Sequence, residues 1–578
     1  MDETHALVKK AQDLLKLPTE EAALALDSLS PGEARALLLA LPPDRRRQDL
    51  ALLSRNPAAL VRLLPPEDFY ATVMETGPED ALTLLELSSN AQLNHLMDLQ
   101  LWVDRTIDVQ RLERWLTLLE ECGPARVRRF LEKTDFELLV LWLERSLVLV
   151  DREALPDLPS ELADRVVSPD GYHHLVVRLG ADLEHLRKCV ELLFAESREL
   201  FMALVGNLGT MPLAELEDNL ARWRQGRLAD RGWPDPDEAL AIHLPRAPEE
   251  VTRLSGRLPG ALDDPPALPL QVAPRGPRLG AGLAALDDPE IRARVSVQLA
   301  NLANRVLVMD GRPLDELAQV REALALVSGR IEVGLAELGA HAPSEAAAAL
   351  TSVPLLHLAQ VGLHALLQRH KRARTLTRAA GGHLLAMLEA PLPERLAALA
   401  APRPRIVPGP AALARELASP EDLAALDRDL DRAEAAQALA VSLGLASAPL
   451  PEPFPPGSQP ARREDLSLEV LLFTQIARDR LGLDPAPAPL PRERLNDLFV
   501  ALPHARTELA EQLGAWAQGR LGEEAVARLP GLPGLLQALA DTAADELLVH
   551  APERLDPRFV GGLWIQANGA GSPSDSRG

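Results

Sequence analysis

Apolar residues recur at three- and four-residue spacing in short runs along the first 150 residues, and each run opens on a start signal for a helix. The signals are Leu29-Ser30-Pro31-Gly32-Glu33, Leu41-Pro42-Pro43-Asp44, Leu64-Pro65-Pro66-Glu67-Asp68, Gly77-Pro78-Glu79-Asp80, Leu87-Ser88-Ser89-Asn90 and Lys133-Thr134-Asp135. Ser, Thr and Asp side chains can accept from free N–H groups of a first turn, where Pro sacrifices no hydrogen bond. Acidic residues just after Pro complement the helix dipole. The spacing predicts helices of roughly 9–14 residues, too short to stand alone, so each must be buried by its neighbours. Tandem short helices read as an α-solenoid, with an ordinary helical bundle as the alternative.

The pattern then changes. Arg165-Val166-Val167-Ser168-Pro169-Asp170-Gly171-Tyr172-His173-His174-Leu175-Val176-Val177 predicts a small β-hairpin near 165–178, turning at Ser-Pro-Asp-Gly. Helices are expected over about Asp182–Val205 and Pro212–Gln225, with a short one near Pro234. Further helices are expected at about 288–309, 313–340 and 344–389, with Pro-rich breaks at 401–410, 446–462 and 484–491. The fold class is mostly all-α. The expected organisation is a helical superhelix over 1–150, a unit with the hairpin and an Arg-rich segment over 151–256, and a Pro/Gly-rich linker over 257–284. A helical domain at 285–445, a Pro-rich linker at 446–463, a helical C-terminal domain at 464–566 and a disordered tail at 567–578 complete it.

Composition agrees with the helical pattern. Hydrophobic residues make up 47% of the 578, but aromatics only 3%, so the cores must be built from Leu, Ala and Val. The net charge of −23 argues against a nucleic-acid partner and against attachment to an anionic membrane. The two cysteines, Cys122 and Cys189, exclude a disulfide framework and suit a reducing compartment. Met1-Asp2-Glu3-Thr4-His5 lacks the basic flank and apolar core of a signal peptide. No apolar stretch reaches the ~18–20 residues of a membrane span. The expected location is therefore the cytoplasm, without membrane insertion.

The densest polar cluster runs from Glu215 to Trp233. One reading makes Arg222, Arg224 and Arg227 an anion-binding group gated by Glu217 and Asp230, with Tyr172 of the hairpin turn nearby. The other makes the same residues an ion-pair network that locks their helix to its neighbours. Gly226 is expected to end this helix and Gly232 to close a further turn. His185 and Cys189, at i and i+4, are the candidate metal ligands, with His173, His174, Asp182 or Glu184 to complete a tetrahedral set. No second paired-ligand motif accompanies them, so no metal and no cofactor is expected. The basic run Arg369-His370-Lys371-Arg372-Ala373-Arg374 has no interleaved aromatics and reads as a solvated helix face. Trp102, Trp115 and Trp142 fall in apolar helical phases and read as packing residues. Nucleophile triads, phosphate-binding loops and dinucleotide glycine fingerprints are absent, so no catalytic residue is assigned.

The Leu-Pro-Pro-Asp/Glu starts at 41–44 and 64–67, with their Leu-Leu endings, make Leu29–Leu101 resemble the N-terminal superhelical domain of bacterial magnesium transporters. More distantly the stretch is similar to flagellar motor-switch domains. Transport is not implied, because the transporter's other domains have no counterpart here. Residues 30–245 resemble a bacterial family known only as a domain of unknown function. Asp98-Leu99-Gln100-Leu101-Trp102, Asp170-Gly171-Tyr172 and the segment from Arg222 to Pro234 carry that likeness. In that family the last segment reads Trp-Arg, Arg-Leu, Asp and Gly-Phe-Pro, then Glu-Ala; here Trp233 replaces the Phe and Glu238-Ala239 completes the pattern.

These features favour a non-enzymatic cytosolic scaffold that offers a helical surface to protein partners. Two alternatives stand beside it. One is a regulatory domain binding a divalent cation or small anion, with Glu67-Asp68 and Glu79-Asp80 as oxygen donors. The other is an enzyme whose charged site lies within 170–233, which requires Tyr172, Glu217, Arg224 and Asp230 to converge. The oligomeric state and the partner's identity are not encoded in any motif.

Overall fold

The computed structural model describes residues 2–103, 106–254, 276–312, 316–549 and 560–567. Most of these are helical, and their strands are confined to small sheets of two or three members. The first hundred residues form α1 (Asp2–Leu14), α2 (Thr19–Asp27), α3 (Pro31–Ala40), α4 (Arg45–Leu52), α5 (Pro57–Leu63), α6 (Pro66–Thr76), α7 (Leu82–Leu87) and α8 (Asn90–Gln100). The start signals work as side-chain caps at Ser30, Asp44 and Ser89, whereas the helices that begin after Pro65, Ala81 and Asp135 have no side-chain cap. Ser30 and Glu33 close a capping box on α3, the Ser30 hydroxyl accepting from the Glu33 N–H at 3.3 Å and the Glu33 carboxylate from the Ser30 N–H at 2.9 Å. Ser89 and Gln92 do the same for α8, and Asp44 caps α4.

Helices two apart in sequence pack on each other. α1 lies on α3, α3 on α5, α5 on α7, and α7 on α9 (Val109–Glu121); α4 lies on α6 and α6 on α8. Two rows of contacting helices result. Polar side chains fasten the rows from within. The fully buried Arg47 of α4 donates to the Leu41 carbonyl at 2.6 Å and to Asp68 of α6 at 2.9 Å. Gln92 of α8 donates to the Val61 and Leu64 carbonyls at the end of α5, both at 2.8 Å.

Between α8 and α9 a short antiparallel ribbon joins β1 (Trp102–Val103) to β2 (Thr106–Ile107). α10 (Pro124–Lys133) and α11 (Phe136–Ser146) follow. The expected hairpin is present as β4 (Val166–Val167) and β5 (His174–Val177), after β3 (Leu147–Val150) and α12 (Ser160–Ala163). β3 adds a third strand, in the order β3-β5-β4, with Leu147 opposite Val177. The helix expected over 182–205 is two helices, α13 (Leu183–Glu196) and α14 (Arg198–Asn207), because Ser197 leaves helical geometry and caps the second. α15 (Leu213–Ala229) runs through Gly226, which does not end it. Gly232, with φ +77°, closes the turn after it, where the Trp233 N–H returns to the Leu228 carbonyl at 3.0 Å.

The remaining helices are α16 (Pro236–Ala239), α17 (Pro248–Leu254), α18 (Pro277–Ala284), α19 (Pro289–Met309), α20 (Leu317–Glu337), α21 (Pro343–Ser352), α22 (Leu355–Arg378), α23 (Leu392–Ala400), α24 (Pro420–Ser442), α25 (Leu468–Arg480), α26 (Leu495–Ala501), α27 (Arg506–Leu521), α28 (Glu523–Ala527) and α29 (Leu532–Ala543). Of the expected linker 257–284, residues 257–275 lie outside the described ones, while Pro277–Ala284 is a helix packed on α21. The helix expected over 344–389 breaks at Val353-Pro354, as proline disfavours helical geometry in the residue before it. The Pro-rich segments near 458 and 490 contribute β6 (Ser458–Gln459) and β7 (Leu490–Pro491), which flank β8 (Ile565–Gln566). The tail expected to be disordered lies, from residue 568 on, outside the described residues.

Contacts divide the chain into two compact units interleaved in sequence. One comprises 1–244, 251–328 and 339–359; the other comprises 245–250, 329–338 and 360–578. The second has a core built largely from Leu and Ala of α22 to α29, with Trp564 fully buried in it. Among the described residues no single helix is long and apolar enough to cross a membrane. The pair α21 and α22 passes jointly by length and composition, but is bent by 113°.

Candidate functional site

α15 carries the Arg-rich segment, and the fold distributes its side chains among several neighbours. Arg227 forks onto the buried Asp98 of α8, Nη2 to Oδ1 at 2.7 Å and Nε to Oδ2 at 2.8 Å, and reaches Asp135 at the start of α11 at 3.0 Å. Arg224 donates to the Asp98 carbonyl at 2.7 Å, and its guanidinium lies 4.9 Å from the centroid of the Trp102 ring. Arg231 donates to Glu67 of α6 at 2.7 Å. Glu217 is paired with Arg145 of α11, which also holds the Ile107 carbonyl at 2.6 Å. Arg222 is exposed and bonds Asn219 of its own helix at 3.0 Å. Asp230 is exposed at the C-terminal end of α15.

Electrostatics follow from burial. Hydrogen bonds donated to the Asp98 carboxylate hold the Arg227 guanidinium firmly in its charged form. Burial lowers Arg224 to about 10, with Asp98 opposing the shift. Burial pushes the Asp98 carboxyl up, and Arg227 and Arg224 pull it back. Stranding one member of a fully buried pair costs about 3–5 kcal/mol. The cost here is smaller, because the Arg227 side chain stays 36% exposed. The cleft beside Arg227, lined also by Asp98, Trp102, Asp135 and Leu220, encloses about 20 Å³, room for about one water molecule. The arrangement ties α6, α8, the β1–β2 ribbon and α11 to α15.

Tyr172 stands elsewhere. Asp170 accepts from the Tyr172 and His173 N–H groups at 2.9 Å each, and its other oxygen is 2.6 Å from His173 Nδ1. Burial works against ionisation of Asp170, yet the hydrogen bonds from His173 and Tyr172 lower its carboxyl to about 2. With Gly171 at φ +72°, this turn projects Tyr172 outward, 84% exposed. Tyr172 lines an open hollow of about 510 Å³ with His173, Arg198, Glu199 and Met202. Glu217, Arg224 and Asp230 do not line it. The four residues that the enzyme reading needs together are thus divided between the hollow and the two faces of α15.

The remaining candidates fall in three places. His185 and Cys189 share a face of α13 and meet Glu120 of α9. Asp182 instead caps α13 through the His185 N–H at 3.1 Å, and Glu184 pairs with Arg187. The basic run of α22 is engaged by α24: Arg369 forks onto Asp427, and Arg372 reaches Asp427, Asp431 and Glu434. Trp102, Trp115 and Trp142 are all buried. Sequence reasoning missed Asp98, Asp135, Arg145 and Glu120. Each lies 69 to 129 residues from its partner; the motif Asp98-Leu99-Gln100-Leu101-Trp102 marked Asp98 only as part of a family likeness, and Lys133-Thr134-Asp135 marked Asp135 only as a helix start.

The model of DUF6178, a family of unknown function, matches residues 24–566, and the chain belongs to that family. No curated protein and no solved structure matches it.

Proposed function

We propose that this member of the DUF6178 family is a non-enzymatic, cytoplasmic scaffold whose N-terminal helices form a solenoid that receives partner proteins. The observation that carries the reading is the packing of helices two apart in sequence, from α1 through α9 in one row and from α4 through α8 in the other. Repeating neighbour contacts of this kind build extended surfaces from local units, and such surfaces bind without a sequence motif. The charged cluster of α15 supports the same reading, since Arg224, Arg227 and the following Arg231 are consumed in holding neighbouring helices together. The hollow of Tyr172, Arg198 and Met202 adds residue types that interface centres favour. Two free cysteines accord with a reducing compartment.

The test is affinity capture by the full chain from the lysate of its own organism, quantified by mass spectrometry. The parent is compared with Leu24→Glu, at an exposed position of α2, and with Tyr172→Glu. The expected result is a small set of proteins enriched by the parent and lost from at least one variant. Capture of nothing, or of the same proteins by all three, overturns the proposal.

A further inference from the structure

Three potential ligands of different chemistry meet between α9 and α13. Cys189 Sγ lies 3.2 Å from Glu120 Oε1 and 3.6 Å from His185 Nε2, and His185 Nδ1 lies 3.7 Å from the same Glu120 oxygen. One ligand atom from each residue falls within 4.8 Å of the other two. Zinc bonds of about 2.3 Å to sulfur and about 2.0–2.1 Å to nitrogen or oxygen, at tetrahedral angles, set ligand atoms about 3.3–3.6 Å apart. These separations use both imidazole nitrogens, Nε2 toward Cys189 and Nδ1 toward Glu120, so the ring must turn to present one of them to an ion that the thiolate and the carboxylate also reach.

The surroundings are those of a built site. Cys189 is 3% exposed, and the His185 side chain retains only 10% of its accessible surface. His185 is set by its place in the first turn of α13, where Asp182 caps the backbone. Its i, i+4 spacing puts Cys189 one turn below on the same face. Glu120 comes from the last turn of α9, so both helices contribute.

We propose that Glu120, His185 and Cys189 bind a zinc ion, with water in the fourth position. The donor set selects the metal: thiolate and imidazole favour zinc over magnesium or calcium, which take oxygen ligands. In the structure the Cys189 thiol donates to Glu120 at 3.2 Å. A bound divalent ion takes the place of that proton, because it stabilises the thiolate directly. The site is independent of the scaffold reading, and either can fail alone.

Cobalt(II) reports the ligands, since a tetrahedral cobalt–thiolate site gives intense visible bands and a charge-transfer band in the near ultraviolet. The full chain, stripped with a chelator, is titrated with cobalt(II) and then with zinc(II). The expected result is one equivalent of cobalt with a thiolate band, bleached by zinc, present in Cys122→Ser and absent from Cys189→Ser. Glu120→Gln, which preserves shape, keeps the helical dichroism of the parent. It lowers zinc affinity by more than the about 10- to 100-fold typical of losing an outer-shell partner. A titration without a thiolate band overturns the proposal. So does a band that persists in Cys189→Ser or follows Cys122, or an unchanged affinity in Glu120→Gln.

Discussion

His95 shows how a single side chain becomes an energetic liability through its neighbours. It sits in α8, buried at 3% exposure, edge-on to the Tyr70 ring at a centroid distance of 6.4 Å. Neither ring nitrogen has a hydrogen-bond partner among the described residues. Burial, with the positive charge of Arg231 nearby, lowers its pKa to about 3. The folded protein therefore holds His95 neutral, whereas the unfolded chain takes up a proton near pH 6.5. More protons on the unfolded state mean that stability falls as pH falls through 6.5, until the folded pKa near 3 is reached. At pH 5 the loss from this one group is about 2 kcal/mol. His95→Leu removes it, so urea midpoints of parent and variant should diverge between pH 7 and pH 5; parallel profiles would disprove the burial argument. Nothing in Leu93-Asn94-His95-Leu96 distinguishes this histidine from an exposed one.

At the scale of elements, the closest approach in the second unit depends on the absence of side chains. A Cβ on Gly362 of α22 would stand 2.0 Å from the Arg330 carbonyl oxygen of α20, and one on Gly329 would stand 2.0 Å from the Leu417 carbonyl oxygen. These obstacles are backbone and cannot rotate away. Alanine is intrinsically better than glycine within a helix by about 1 kcal/mol. Gly362→Ala should nonetheless lower stability by about 1–3 kcal/mol net, the usual cost of overpacking. Gly226→Ala, in α15 with open space around it, should instead be neutral or stabilising. Thermal unfolding of the two variants decides the matter, and a Gly362→Ala protein as stable as the parent refutes the tight crossing. Helix starts were legible here because caps are local: Ser30 with Glu33 and Ser89 with Gln92 act as their spacing implies. Crossings were not, because a glycine's neighbour across the core leaves no mark on the residues beside it in sequence.

For the whole molecule the dominant electrostatic fact is the charge of −23. Self-repulsion of that size works against the compact state. The Debye length falls from about 30 Å at 0.01 M salt to about 8 Å at 0.15 M, so added salt screens this repulsion. Salt also weakens exposed ion pairs such as Arg528–Glu524, but each of these contributes only about 0–1 kcal/mol. The melting temperature should therefore rise by several degrees over this interval. A fall would show that ion pairs outweigh the net charge.

The sequence by itself determined the helical class, the short N-terminal helices and the β4–β5 hairpin. Periodicity, capping and turn chemistry all act within about one helical turn or one hairpin. It also marked the Arg-rich segment of α15 and the pair His185 and Cys189 as unusual. Only the tertiary structure decided what those residues do. Asp98 and Asp135 take the charge of Arg227, Arg145 takes Glu217, and Glu120 comes from another helix to meet Cys189. Tertiary packing likewise decided that two contact units interleave. The physical reason is common to all of these: the partner that satisfies a buried charge, or completes a metal site, is chosen by packing across the core and leaves no local signature.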